Sequence, residues 1–186
     1  MILITEIVDL AVCEIIKIMD NMVLNKNRKE NRLKEYDYSL PRAYFITICT
    51  QNRVNYFWNN VGARNARPTD YTLTEYGITV EKAINAISNH YPAVTVDNYV
   101  IMPDHIHLLL KIHTDSEGRA LRAPTIGTIV NQFKGYVTKQ LKTSIWQKLF
   151  FDHIVRSQQD YKEIWKYIDN NPLNLKDDHF NSEVKK

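Results

Sequence analysis

Two apolar runs, Tyr99 to Met102 and Ile106 to Leu110, are separated only by Pro103, Asp104 and His105. Pro-Asp is punctuation for a turn, so Ala93 to Met102 and His105 to Ile112 are expected to form an antiparallel strand pair in mid-chain. Successive strand side chains alternate faces, so His105 and His107, two apart at the mouth of the second strand, point the same way. Such a pair is either half of a divalent-metal site or two packed, hydrogen-bonded core residues.

The flanking sequence supplies the other elements. Ala43 to Thr50 (A-Y-F-I-T-I-C-T) is β-branched and aromatic and reads as a buried strand. Gln51 to Asp70 is polar and breaker-rich, a loop or irregular hairpin carrying Arg53, Arg64 and Arg67. Thr72-Leu-Thr-Glu75 has the form of a capping box, and Tyr76, Val80, Ala83, Ile84 and Ile87 then repeat at helical spacing, closing near Asn89. Beyond the strand pair, His113 to Pro124 is a partly basic loop with Arg119 and Arg122.

A second helix opens at Thr125 or Gly127, its apolar stripe running Ile126, Ile129, Val130, Phe133, Val137 and Leu141. Lys134, Lys139 and Lys142 fall off that stripe and give a basic outer face. Leu149 to Val155 reads as a further strand, and a last helix runs from Gln158 to about Asn171, stopped by Pro172. The first six elements spell β-α-β-β-α-β. The expected fold is therefore α+β, a ferredoxin-like antiparallel sheet with an appended C-terminal helix.

In that last helix Tyr161, Ile164, Trp165 and Ile168 fall on one stripe at about 100° per residue, which makes Tyr161 a packing residue. Tyr167 projects from the stripe's flank, with Asn171 one turn on along the same side. A phenol followed by an amide suits a position over a metal-bound phosphate, and equally suits an amphipathic rim residue before a helix stop.

At 186 residues the chain is long enough to bury its own core, and 44% hydrophobic with 24% charged residues is ordinary for a globular protein. Cys13 and Cys49 form no metal or disulfide pattern, which suits a reducing cytoplasm. A net charge of +3 permits a polyanionic partner without requiring one. Residues 1–24 are interrupted by Glu6, Asp9, Glu14, Lys17 and Asp20, so neither a secretory leader nor a membrane span is expected there. Ile4, Ile7, Val8, Ala11, Ile15 and Ile18 suggest an amphipathic helix, and Lys26 to Lys34 a basic arm. The organisation expected is an extension over 1–27, a working domain over 28–178 and a polar tail over 179–186.

Taken together, M-P-D-H-I-H, then W-Q-K-L-F-F-D-H-I-V-R and D-Y-K-E-I-W-K-Y-I-D-N-N-P, with the start N-R-L-K-E-Y-D-Y-S-L-P-R-A-Y-F-I-T-I-C-T, resemble the single-tyrosine His-hydrophobic-His transposases. The closest branch is the REP-associated tyrosine transposases of bacteria, and the likeness spans roughly Asn31 to Asp177. The resemblance implies an enzyme that cuts and rejoins single-stranded, hairpin-bearing DNA through a covalent 5′-phosphotyrosine. Tyr167 matches its nucleophile, while His105, His107 and Asn171 match the ligands of a Mg2+ or Mn2+ ion.

His153 matches a recurrent family position with no role assigned. Arg53, Arg64, Arg67, Arg119, Arg122 and Lys134 are candidate DNA contacts, and Tyr99, Phe133, Tyr136, Trp146 and Trp165 are candidate surfaces for base stacking. No nucleotide cofactor is required, a nucleoid-associated cytoplasmic protein is expected, and monomer and homodimer both remain open. A non-catalytic DNA-binding domain of the same fold is the competing reading.

Overall fold

The computed structural model describes residues 37–59, 72–114 and 124–174. The expected N-terminal helix and basic arm, the C-terminal tail, Arg64, Arg67, Arg119 and Arg122 all lie outside them. Among the described residues four strands make the main sheet, β1 (Ala43–Cys49), β4 (Val94–Ile101), β5 (His105–Ile112) and β6 (Phe151–Ile154). Their spatial order is β4-β5-β1-β6 and every pairing is antiparallel, as the expected β-α-β-β-α-β pattern requires.

The turn between β4 and β5 is pinned from three sides. Met102 N donates to His105 O at 2.8 Å across it, Thr50 N to Asp104 O at 2.9 Å, and Phe57 N to Pro103 O at 3.0 Å. These bonds fix the register of β5 against β1, which sets Thr47 opposite His107 and Cys49 opposite His105. Directly opposed residues share a face, so Phe45, Thr47, Cys49, His105 and His107 lie together. The alternate positions, Ile46, Ile48, Ile106, Leu108 and Leu110, are fully buried.

That apolar face is the one available to the helices α1 (Glu75–Asn85) and α3 (Ile126–Leu141), which also pack on one another. Val80, Ala83 and Ile84 of α1 are buried, as are Ile126, Ile129, Val130, Phe133 and Val137 of α3. A helix break at Ala86 separates α1 from the single turn α2 (Ile87–His90).

The expected box at Thr72 is corrected. Thr72 pairs with Asn59 in a two-stranded hairpin of β2 (Trp58–Asn59) and β3 (Thr72–Leu73), and Thr74 is the cap, accepting from Gly77 N at 3.1 Å. A Cβ at Gly77 would come 2.5 Å from Phe57 O, so the hairpin can meet the helix this closely only through a glycine.

Lys134 differs from its expected place on an open basic face. It is buried, and its Nζ donates to the carbonyls of Gln147 at 2.9 Å, Lys148 at 3.4 Å and Leu149 at 3.2 Å. Burial pulls its ammonium down to about 8. This tie engages the start of the expected last strand, and regular pairing begins only at Phe151.

The C-terminal helix α4 (Gln158–Asn170) is capped by Ser157, whose hydroxyl accepts from Asp160 N at 3.0 Å. It packs on β4 and β5 through Ile164 and Ile168. The expected apolar stripe is narrower than its spacing implied. Trp165 is 37% exposed, and the Tyr161 hydroxyl donates to Asp97 Oδ2 at 2.8 Å.

Candidate active site

The histidine pair is brought together at the centre of the polar face. His105 is 3% and His107 2% exposed, and their Nε2 atoms stand 3.1 Å apart. Each ring is held by its other nitrogen. His105 Nδ1 lies 2.6 Å from Asp104 Oδ1 and, because a carboxylate only accepts, must donate there. His107 Nδ1 lies 2.8 Å from the Thr47 hydroxyl, across the β1–β5 ladder.

Asp104 is fixed in turn by Arg53, whose Nε lies 3.3 Å from Asp104 Oδ2. Burial pushes the Asp104 carboxyl up, but the hydrogen bond and charge of His105, with Arg53, outweigh it and leave it below its ordinary value. Burial also holds His107 well below the ordinary histidine value, helped by the charges of His105 and Arg53. The His107 ring is therefore neutral at pH 7 and keeps a lone pair, the form in which imidazole binds a metal ion.

Tyr167 reaches this pair from α4. Its hydroxyl is 3.3 Å from His107 Nε2, and its ring stands edge-on to His107 and to Phe45, which itself stacks on His107 with centroids 5.2 Å apart. Asn171, at the C-cap of α4 one turn beyond Tyr167, is buried. Cys49, beside His105 on the same face, is buried, and burial pushes its thiol up to about 11.

Tyr161 is a different kind of residue. Burial, then the bond to Asp97, raises its phenol to about 12. His153 contacts both carboxylate oxygens of Asp160, at 3.2 and 3.0 Å, tying β6 to the first turn of α4. Of the aromatic candidates, Phe133 and Trp146 are core residues 5.8 Å apart, whereas Tyr136 and Trp165 are exposed. Sequence reasoning missed Thr47, Asp104 and Phe45 as parts of the site. In sequence Asp104 reads as turn punctuation, although a carboxylate next to a candidate ligand histidine is also a signal for a brace.

Among the described residues no group of three or more His, Cys, Asp or Glu could hold a metal ion. The spacing of the two Nε2 atoms, 3.1 Å, suits two ligands of one ion. Two neighbours in an octahedral shell, each ~2.1 Å from the centre, stand ~3 Å apart, close to the separation of the two Nε2 atoms. No helix among the described residues is long and apolar enough to cross a membrane.

The model of the IS200-like transposase family matches residues 38–171. An uncharacterised Haemophilus influenzae protein is 32% identical over 166 residues, covering 79% of this chain and 89% of its own length. A second protein of that organism, whose name places it among the REP-associated tyrosine transposases, is 28% identical over 145 residues, covering 74% of this chain and 73% of itself. The solved structure of a REP-associated tyrosine transposase bound to a REP hairpin shares the fold, with a TM-score of 0.53 at 19% identity over 77% of this chain and 74% of that one. With a sheet, a histidine pair and a tyrosine helix in this arrangement, and a family match over most of its length, the chain belongs to the IS200-like transposases.

Proposed function

We propose that the protein cleaves and rejoins single-stranded DNA that carries hairpins, using Tyr167 as the nucleophile. The observation that carries this is the Tyr167 hydroxyl, 3.3 Å from His107 Nε2 at the edge of a braced histidine pair. A REP hairpin is what the structural relative binds, and a hairpin-bearing strand is accordingly the substrate class proposed. The working unit is residues 28–178, which enclose the family match over 38–171.

Attack by the Tyr167 oxygen on a phosphodiester forms an O–P bond as its phenolic proton passes to water, and breaks the bond to the 3′ oxygen, which takes a proton back from water and leaves as a hydroxyl. The 5′ phosphate stays on the tyrosine, so a 3′-hydroxyl can reverse the step and rejoin a strand with no nucleotide cofactor. Tyr161 is unsuited to this role, since its proton is committed to Asp97 and its phenol lies at about 12. His105 and His107, with Asn171 as the third donor, would hold Mg2+ or Mn2+. When bound, that ion would offset negative charge on the phosphate. The chain's own part is orientation. Asp104 and Thr47 fix the two rings, and Phe45 packs against both His107 and Tyr167.

The test is a labelled hairpin-bearing single strand incubated with the protein and Mg2+ or Mn2+, read as a protein–DNA adduct on a denaturing gel. The adduct is expected to vanish in Tyr167→Phe and still to form, at a reduced rate, in Tyr161→Phe, and the opposite pattern overturns the assignment. A domain that had lost its chemistry would bind the hairpin and give no adduct at all.

A further inference from the structure

The ladder between β4 and β5 is regular up to Val96, opposite Leu110, and resumes at Asn98, opposite Leu109. Asp97 is the extra residue of a β-bulge, which breaks the strict alternation of faces. Both Asp97 and Asn98 consequently serve the side that α4 covers. Asp97 Oδ2 accepts from Tyr161 at 2.8 Å, and Asn98 Nδ2 donates to Asp169 Oδ1 at 2.9 Å.

These contacts bracket Tyr167. Tyr161 precedes it by six residues and Asp169 follows by two, about 9 Å and 3 Å along the axis at helical rise. Each strand residue is itself held. Thr95 donates its only hydroxyl proton to Asp97 Oδ1 at 2.6 Å, so its oxygen accepts from His113 Nε2 at 2.9 Å. Asn98 Oδ1 accepts from Tyr99 N at 2.8 Å, which leaves its amide nitrogen turned toward Asp169.

The buried apolar anchors of α4 are Ile164 and Ile168. Hydrophobic contact is non-directional, so two such anchors do little to stop a helix sliding or rolling, whereas two directional hydrogen bonds on either side of the phenol do. We propose that the Asp97–Asn98 bulge is a latch whose two side chains are positioning residues for the reaction. They set the height and rotation of α4 so that the Tyr167 hydroxyl rests over the histidine pair. The inference rests on Tyr167 being the nucleophile. It goes beyond that reading by assigning the alignment to a strand outside the histidine motif.

A polarity swap tests it. Asn98→Asp keeps an acceptor for Tyr99 N but turns a carboxylate toward Asp169. The double variant Asn98→Asp with Asp169→Asn restores one donor and one acceptor in reversed order. Three quantities are measured: adduct formation at saturating hairpin DNA, hairpin affinity, and amide exchange in α4 and β5 of the DNA-free protein. Asn98→Asp is expected to slow adduct formation about tenfold, with affinity within about twofold, faster exchange in α4 and unchanged exchange in β5. The double variant is expected to recover both rate and exchange.

Adduct formation at the original rate in Asn98→Asp, or a double variant that stays slow, overturns the proposal. Faster exchange across β5 as well would reduce the pair to a general structural contact and overturn it too. An adduct that persists in Tyr167→Phe would sink the nucleophile reading instead, and the exchange arm would then decide the latch by itself.

Discussion

On one side of the sheet Ile46, Ile48, Ile106, Leu108 and Leu110 are fully buried, and nothing about them specifies direction. On the other side, one residue along the same strands, Thr47, His105 and His107 are buried almost as deeply, yet their polar side-chain atoms meet named partners. Burial supplies stability on the first face at roughly 1.5–3 kcal/mol per large side chain. On the second it is a cost, met by hydrogen bonds. Each strand thus carries the apolar core and the candidate site in alternate residues, and the two should separate under mutation.

The largest expected effect is on the polar side. His107→Gln, which keeps most of the buried volume and an amide within reach of Thr47, should lower adduct formation by on the order of a hundred- to a thousandfold while moving the unfolding midpoint less than truncation on the apolar face does. A comparable fall in both would show that the two faces are not separable. The apolar face should answer the other way. Leu108→Ala is expected to cost about 3 kcal/mol in urea unfolding and, below the transition, to leave the adduct rate within about threefold.

A smaller effect is expected where a charge sits behind the apolar layer. Lys134→Met leaves three carbonyls without their donor and should cost about 2 kcal/mol. Its pH dependence has a definite sign. The folded-state ammonium lies at about 8 against 10.5 when free, so between those values the unfolded chain binds more protons and stability rises with pH. The parent chain should therefore gain on Lys134→Met between pH 8 and 10.5, and a gap that narrows over that range would contradict the buried-charge account. An effect of similar size is expected at Gly77. Ala there should gain helix propensity but press on the backbone oxygen of Phe57, for a net loss of about 2 kcal/mol, whereas a gain in thermal midpoint would mean the chain at Phe57 can yield.

Much of this was legible in the sequence because it is local. Pro103-Asp104 between apolar runs gave the strand pair, a two-residue spacing put His105 and His107 on one face, and helical spacing put Tyr167 on a flank. What escaped depends on register or reach. Thr47 meets His107 only because β1 and β5 align at that rung, 60 residues apart in sequence. Lys134 sits off its helix stripe by angle, yet its long stem carries the ammonium to the carbonyls of 147–149. Helical spacing places Tyr161 on the docking face, but its partner exists only because T-V-D-N-Y-V hides a bulge that no periodicity marks.

That bulge has a bearing on how copies of the protein can meet. A sheet's outer strands present unpaired backbone groups, and among the described residues β4 and β6 are the outer strands. β6 is four residues long, and β4 is interrupted at Asp97. Neither offers a long flat margin on which a second chain could add a strand. Edge-to-edge pairing, a common route to aggregation in small sheets, is thus discouraged by the same irregularity that carries the latch residues.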